Sequence, residues 1–251
     1  GLGARTRRGC GAVFCEDFAP KDASELSSKM KTYRHAADGP VHAWPELFTA
    51  ILLKENGAPG AIPSWNDSIR LLQTFRQGPE VGRNSGDMLN RPGRSRWPEP
   101  ETIRAVTRKR DQIHARMAAI PEDGFPRAAF GLPIIFHFQS RTDPQDTQLL
   151  PLVSGAAGNR MASPMILRPL LFKGRRAAAM ILQLRTPRLE SVALGARVFQ
   201  RDGIVHERFA SYPKSPLGAP LGKNVKRSPG GSAIEGFLSF AKENGFQEVK
   251  P

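Results

Sequence analysis

Cysteine is nearly missing from this 251-residue chain, with Cys10 and Cys15 the only two. With no second pair they complete no zinc site, and along one strand they would fall on opposite faces, a poor disulfide geometry. Reduced thiols are the expected state. Long apolar runs are also missing. None approaches the roughly 18 residues that a membrane-spanning helix needs, and the basic start is followed by no apolar signal region. Neither membrane insertion nor secretion is expected, and a cytoplasmic location follows. Acid is scarce, with 23 Asp and Glu against 37 Lys and Arg, a formal charge of +14. Such a balance attracts polyanions but says nothing about fold. With membranes set aside, nucleic acid is the expected partner.

Signatures of catalysis are scarce as well. His35, His42, His114, His137 and His206 form no metal-ligand spacing. Gly218 to Asn224 resembles a phosphate loop but has the wrong spacing and lacks the Ser or Thr that would hold magnesium. No Gly-x-Ser-x-Gly elbow occurs. No catalytic residue, metal or cofactor is therefore expected.

What the chain does have is arginine set among glycine and serine in three loops: Gly1 to Gly11, Gly82 to Trp97, and Gly158 to Ser163. Glycine allows close approach of a backbone to a ligand, and the guanidinium fork fits phosphate oxygens. The first loop has Gly3, Arg5, Arg7, Arg8 and Gly9 and runs into a short apolar strand, Ala12 to Cys15. The second carries Arg94 and Arg96 beside Trp97. Its length marks it as functional or disordered, and the tryptophan argues against disorder. Trp97 either stacks on an unpaired base or anchors its own loop. The third ends in Arg160 and Ser163.

Between these loops the spacing predicts a polar connection over Ala19 to Gly39 and a helix starting at Pro45, with Leu47, Ile51 and Leu52 on one side. It also predicts a helix over Asn66 to Arg76 and a basic helix over Glu101 to Ala119. Phe130, Leu132, Ile134, Phe136 and Phe138 alternate as one face of a strand, with His137 opposite and Pro133 demanding an edge or bulge. Met165–Phe172 and Ala177–Leu184 read as a hairpin around Lys173–Gly174, and a short strand is expected near Ala196 to Phe199. Ser232 and Glu235 form a capping box for a last helix that Gly245 stops.

The opening GLGARTRRGCGAV resembles the glycine-rich loop of the RAMP proteins of CRISPR systems, although Cys10 stands where an aromatic is commoner. Arg94-Ser-Arg-Trp-Pro-Glu99, Phe130-Gly-Leu-Pro-Ile134 and Arg160-Met-Ala-Ser-Pro-Met-Ile-Leu-Arg168 are similar, in order, to the Cmr subunit one family of type III-B effector complexes. The resemblance implies an α+β chain of ferredoxin-like (RRM-like) RAMP domains. Residues 1–18 would be the glycine loop and terminal strand of a truncated first domain. A helical and loop region would follow over 19–125, and a largely complete second ferredoxin-like domain over 126–251. The implied function is that of a non-catalytic subunit, contacting CRISPR RNA near its 3′ end and target RNA, with other Cmr subunits as partners. Arg5, Arg7 and Arg8 would hold phosphate, with a second patch at Arg94, Arg96 and Trp97 and a third at Arg160. Two other readings stand beside it: a RAMP-type, metal-independent endoribonuclease using a histidine, and a basic RNA-binding protein outside any complex.

Overall fold

The computed structural model describes residues 14–35, 46–55, 60–85, 93–107, 109, 125–138, 141–153, 156–157, 160–185, 192–196, 198–200, 203–205 and 232–250. In chain order, α1 (Ala23–His35) precedes β1 (Glu46–Glu55), α2 (Ala61–Gln77) and α3 (Glu99–Thr107). Then come β2 (Ile134–Phe136), β3 (Thr147–Val153), β4 (Ala156–Ala157), β5 (Met165–Leu171) and β6 (Ala177–Arg185). The remaining elements are β7 (Val192–Ala196), β8 (Val198–Gln200), β9 (Gly203–Val205), α4 (Ala233–Glu243) and β10 (Gln247–Glu248). The architecture is α+β, and the paired strands are antiparallel.

Two compact units interleave in sequence. One takes Gly1–Phe75, Pro164–Pro187 and Phe237–Pro251, the other Arg76–Ser163 and Arg188–Gly236. These are drawn differently from the stretches 1–18, 19–125 and 126–251 read from the sequence, because β1 finds its partners far downstream. Leu52 pairs with Ile181 on one side and Glu248 on the other. Of the expected opening strand only Phe14 and Cys15 are described, and they lead into a turn in which the Cys15 carbonyl accepts from the N–H groups of Phe18 and Ala19.

In the first unit the sheet order is β10-β1-β6-β5, with α2 following β1 and α4 following β6. β1 replaces the expected helix. Leu47, Ile51 and Leu52 have helical spacing, but Ile51, Leu52 and Leu53 are all buried in succession. A helix would bury one stripe of such a run, whereas a strand covered on both faces buries all of it. Ile51 and Leu53 share a core with Met30, Phe172, Ala178 and Met180. Leu52, on the opposite face by the period of the strand, is fully buried too. α1 stands where a polar connection was expected. Its apolar stripe is narrow, but Ala23, Leu26 and Met30 pack onto that core, and the Asp22 carboxylate accepts from the Glu25 N–H at 2.8 Å to cap the helix.

Other local expectations hold. α2 begins earlier than Asn66, with Pro63 in its first turns where a missing N–H does little harm. The β5–β6 hairpin turns through Lys173–Arg175, and Gly174 takes φ +77°. α4 carries the capping box: Ser232 N–H donates to Glu235 Oε2 at 2.8 Å and Glu235 N–H to Ser232 Oγ at 3.2 Å. Its end has Gly245 at φ +87°, with Phe246 N–H reaching the Ala241 carbonyl and Gly245 N–H that of Lys242.

In the second unit Ile103, Phe125, Leu132, Phe136, Leu149, Val192 and Leu194 form the core around β3, which pairs with β2 and β7. The alternation is as expected, with Phe136 buried and Ile135 and His137 exposed. The strand is shorter than expected, because Phe130 closes a 3₁₀ turn (Pro126–Phe130) and Gly131 breaks the extended run at φ +112°. β2 pairs only with β3 among the described strands, so Pro133 precedes an edge strand, where its missing N–H is tolerated. α3 begins at Glu99. The part of the expected basic helix beyond Thr107, Lys109 apart, lies outside the described residues.

Candidate nucleic-acid interface

The second glycine and arginine loop, Gly82 to Trp97, is described over residues 82–85 and 93–97, which join the residues on either side. The described backbone on its two sides is joined by hydrogen bonds. The Gly78 carbonyl accepts from Val81, Gly82 and Arg83, Asn84 N–H donates to Arg94 O at 2.8 Å, and Arg96 N–H donates to Gly82 O at 3.0 Å. Gly82 is needed for steric reasons: a Cβ there would lie 2.3 Å from the Arg76 carbonyl carbon and 2.4 Å from its oxygen.

The aromatic of this loop points inward. Trp97 is 2% exposed, and its Nε1 donates to the Arg76 carbonyl at 3.0 Å. The expectation that Trp97 offers a face to an unpaired base is therefore corrected. Burying an indole gains far more than leaving it in water, and its single donor is satisfied within the unit. Arg96 is corrected as well. Its Nη2 lies 2.5 Å from Glu80 Oε2, its Nε donates to Asn84 Oδ1 at 2.8 Å, and its Nη1 donates to the Glu80 carbonyl. With both edges engaged and the side chain 12% exposed, the guanidinium has no free fork for phosphate. Glu80 also accepts from the Ser85 hydroxyl at 2.5 Å and the Ser85 N–H at 3.0 Å. The Ser85 hydroxyl first, then Arg96, hold the Glu80 carboxyl below the usual glutamate range.

Arg94 remains exposed but pairs with Glu101. Glu101 also takes Arg104 at 2.7 Å, and Arg104 grips Asp143 with two bonds, Nε to Oδ1 at 2.8 Å and Nη2 to Oδ2 at 2.9 Å. Burial opposes the charge on Arg104, but the hydrogen bond to Asp143 and the charges of Glu101 and Asp143 outweigh it and raise its pKa. A second buried pair lies close by in sequence. Glu99 accepts the Arg127 N–H at 2.7 Å, and its other oxygen lies 3.1 Å from Arg127 Nε without hydrogen-bond alignment. The Arg127 guanidinium carbon lies 5.5 Å from the Trp97 ring centre and 5.3 Å from that of Phe136. Sequence reasoning missed both pairs, because partners such as Arg104 and Asp143 are far apart in the chain.

The third loop has an arginine with no ion pair or side-chain hydrogen bond among the described residues. Arg160 is exposed, and its neighbour Met161 exchanges backbone hydrogen bonds with Leu132 at 2.9 and 3.1 Å. Ser163 is half-buried against Gly131, where a Cβ would come within 3.0 Å of the Ser163 nitrogen. The first loop, with Gly3, Arg5, Arg7, Arg8 and Gly9, lies outside the described residues. Cys15 is an exposed free thiol, and Cys10 lies outside the described residues.

His137 is exposed as expected, and its Nδ1 lies 2.7 Å from Asp146 Oδ2 across the β2–β3 hairpin. Among the described residues no group of three or more His, Cys, Asp or Glu could hold a metal ion, and no helix is long and apolar enough to cross a membrane. Comparison with family models, with curated proteins and with solved structures finds no match to the chain.

Proposed function

We propose that the chain is a non-catalytic RNA-binding subunit of a type III-B CRISPR (Cmr) effector complex, working in the cytoplasm on CRISPR RNA and target RNA. The observation that carries the reading is the order of the first sheet. β1, β5, β6 and β10 stand as fourth-first-third-second, with a helix after the first and a helix after the third. This order supports the ferredoxin-like reading, whose split β-α-β-β-α-β pattern runs through its elements in the same way and which the motif resemblance implies. On this reading the ferredoxin-like elements run from β1 to β10. Both faces of this sheet are buried at β1, so bases cannot stack on an open sheet there in the manner of an RRM. RNA contact falls to loops and turns, with exposed Arg160 and the opening arginines Arg5, Arg7 and Arg8 as candidates.

The test is co-purification of the protein with other Cmr subunits and CRISPR RNA, together with RNA binding by the chain alone. Binding is expected to fall with salt, with a slope of about −0.7 per phosphate neutralised on a single strand. A protein that purifies alone and binds no RNA overturns the proposal.

A second reading, a metal-independent endoribonuclease, is favoured by the His137–Asp146 pair, in which a carboxylate orients an exposed imidazole for proton transfer. Cleavage of repeat RNA in chelator, lost in H137A, decides for it; intact RNA decides against.

A further inference from the structure

We infer that Phe18 and the β5–β6 turn form a contact for single-stranded nucleic acid, in which Phe18 stacks on a base while Lys21, Lys173 and Arg175 hold phosphates. The inference rests on the RNA-binding reading above and gives it a location that the glycine and arginine loops do not.

Phe18 is 78% exposed, the most exposed large apolar side chain among the described residues. It is not on a loose end. Its N–H donates to the Cys15 carbonyl at 3.3 Å, and its own carbonyl accepts Lys29 Nζ at 3.3 Å. A ring held out by a fixed backbone gives up little freedom on stacking, which favours binding over a flexible aromatic. The β5–β6 turn lies against the same segment: Lys173 N–H donates to the Pro20 carbonyl at 2.9 Å and Arg176 Nη2 to the Lys21 carbonyl at 3.2 Å.

The charges sort by whether the side chain forms an ion pair. Lys29 pairs with Glu25 and Arg176 with Glu55, and Asp22 caps α1. Lys21, Lys173 and Arg175 have no ion pair or side-chain hydrogen bond among the described residues. The Glu25 carboxylate, which accepts the Lys21 N–H at 2.6 Å and feels the charge of Lys173, is taken up by Lys29. Glu16 and Asp17, exposed just before Phe18, confine the cationic surface to the Lys21 side. The turn is also strained. Arg175 takes φ +62° directly after Gly174 at φ +77°, a conformation that a side chain other than glycine seldom adopts. It is held there by Phe172 N–H to Arg176 O at 2.8 Å and Arg175 N–H to Phe172 O at 3.0 Å. A fixed aromatic with unpaired cations beside it is the arrangement that takes an unstacked base and its backbone together, whereas a duplex presents no free base face.

The experiment measures binding of a fluorescein-labelled 20-nucleotide oligouridine to the 251-residue chain over a salt series. Phe18→Ala is expected to weaken binding about tenfold, and Phe18→Trp to restore it. Lys173→Gln with Arg175→Gln is expected to flatten the salt slope by about 1.4, two phosphates' worth. If the parent binds and these variants bind equally well with the same slope, the inference is overturned and the RNA-binding reading stands. If the parent binds no oligouridine, both fall. If the variants lose binding to phosphatidylserine vesicles and not to oligouridine, the surface is a membrane contact and the inference is overturned.

Discussion

The loop from Gly78 to Pro98 and the surface formed by Cys15–Lys21 with the β5–β6 turn are built from the same residue types, cations beside an aromatic, and use them in opposite ways. In the loop, Trp97 is buried, Arg96 closes on Glu80, and Arg94 shares Glu101 with Arg104. At the turn, Phe18 stands in solvent while Lys173 and Arg175 form no ion pair among the described residues. What separates the two is the distribution of acid. The chain has only 23 acidic residues, and Glu80, Glu99, Glu101 and Asp143 are all spent on the arginines of one unit. A cation neutralised inside a fold contributes to its order rather than to recognition of phosphate. Arginine count along the chain is thus a poor guide to a polyanion site; arginine left over after internal pairing is a better one.

The contrast can be broken most directly at Trp97. Trp97→Ala is expected to cost roughly 3–5 kcal/mol, as large-to-small changes of a buried aromatic do, read as lower urea resistance and faster hydrogen exchange over 78–98. A cost below about 0.5 kcal/mol would mean that the indole is not structural. Next, Asp143→Ala should cost roughly 3 kcal/mol because it strips a buried guanidinium of its bidentate partner. The double change Arg104→Met with Asp143→Leu should fall closer to the parent, since an apolar pair leaves no buried charge. Gly82→Ala should cost about 1–3 kcal/mol, because its Cβ would force the loop away from the Arg76 carbonyl.

A smaller effect separates the surfaces by pH. The Glu80 carboxyl is held below its ordinary value, so its contribution is complete above the unfolded glutamate pKa of about 4.3 and is lost as pH falls through the lower folded value. Trp97 fluorescence is expected to report loosening of the loop in that acid window, and Glu80→Gln to flatten the dependence. The smallest expected effect is Phe18→Ala on stability, within about 0.5 kcal/mol, since the ring is already in water. A large loss there would turn the exposed ring into a structural element and erase the comparison.

Local grammar was legible in the chain wherever the signal was short-range. The capping box at Ser232 and Glu235, the Gly245 stop, the hairpin around Lys173–Gly174 and the alternation that buries Phe136 and exposes His137 all follow from residues within a few positions of one another. β1 was misread because Leu47, Ile51 and Leu52 satisfy helical spacing, and nothing nearby announces that β6 and β10 will cover both edges. α1 was missed because an apolar stripe of Ala23, Leu26 and Met30 has meaning only against a sheet assembled from later residues.

The same division of labour holds for the candidate site. Composition and short-range pattern determined that the chain carries a large excess of positive charge, that its arginines gather with glycine, and where its last helix begins and ends. Only the tertiary structure decided which cations remain free. Pairing depends on which distant carboxylate folding brings within about 3 Å, and such distances belong to the packed chain and not to its spacing. The same holds for the rings: Phe18, an aromatic in a polar stretch, is exposed, while Trp97, the aromatic set among arginines, is buried.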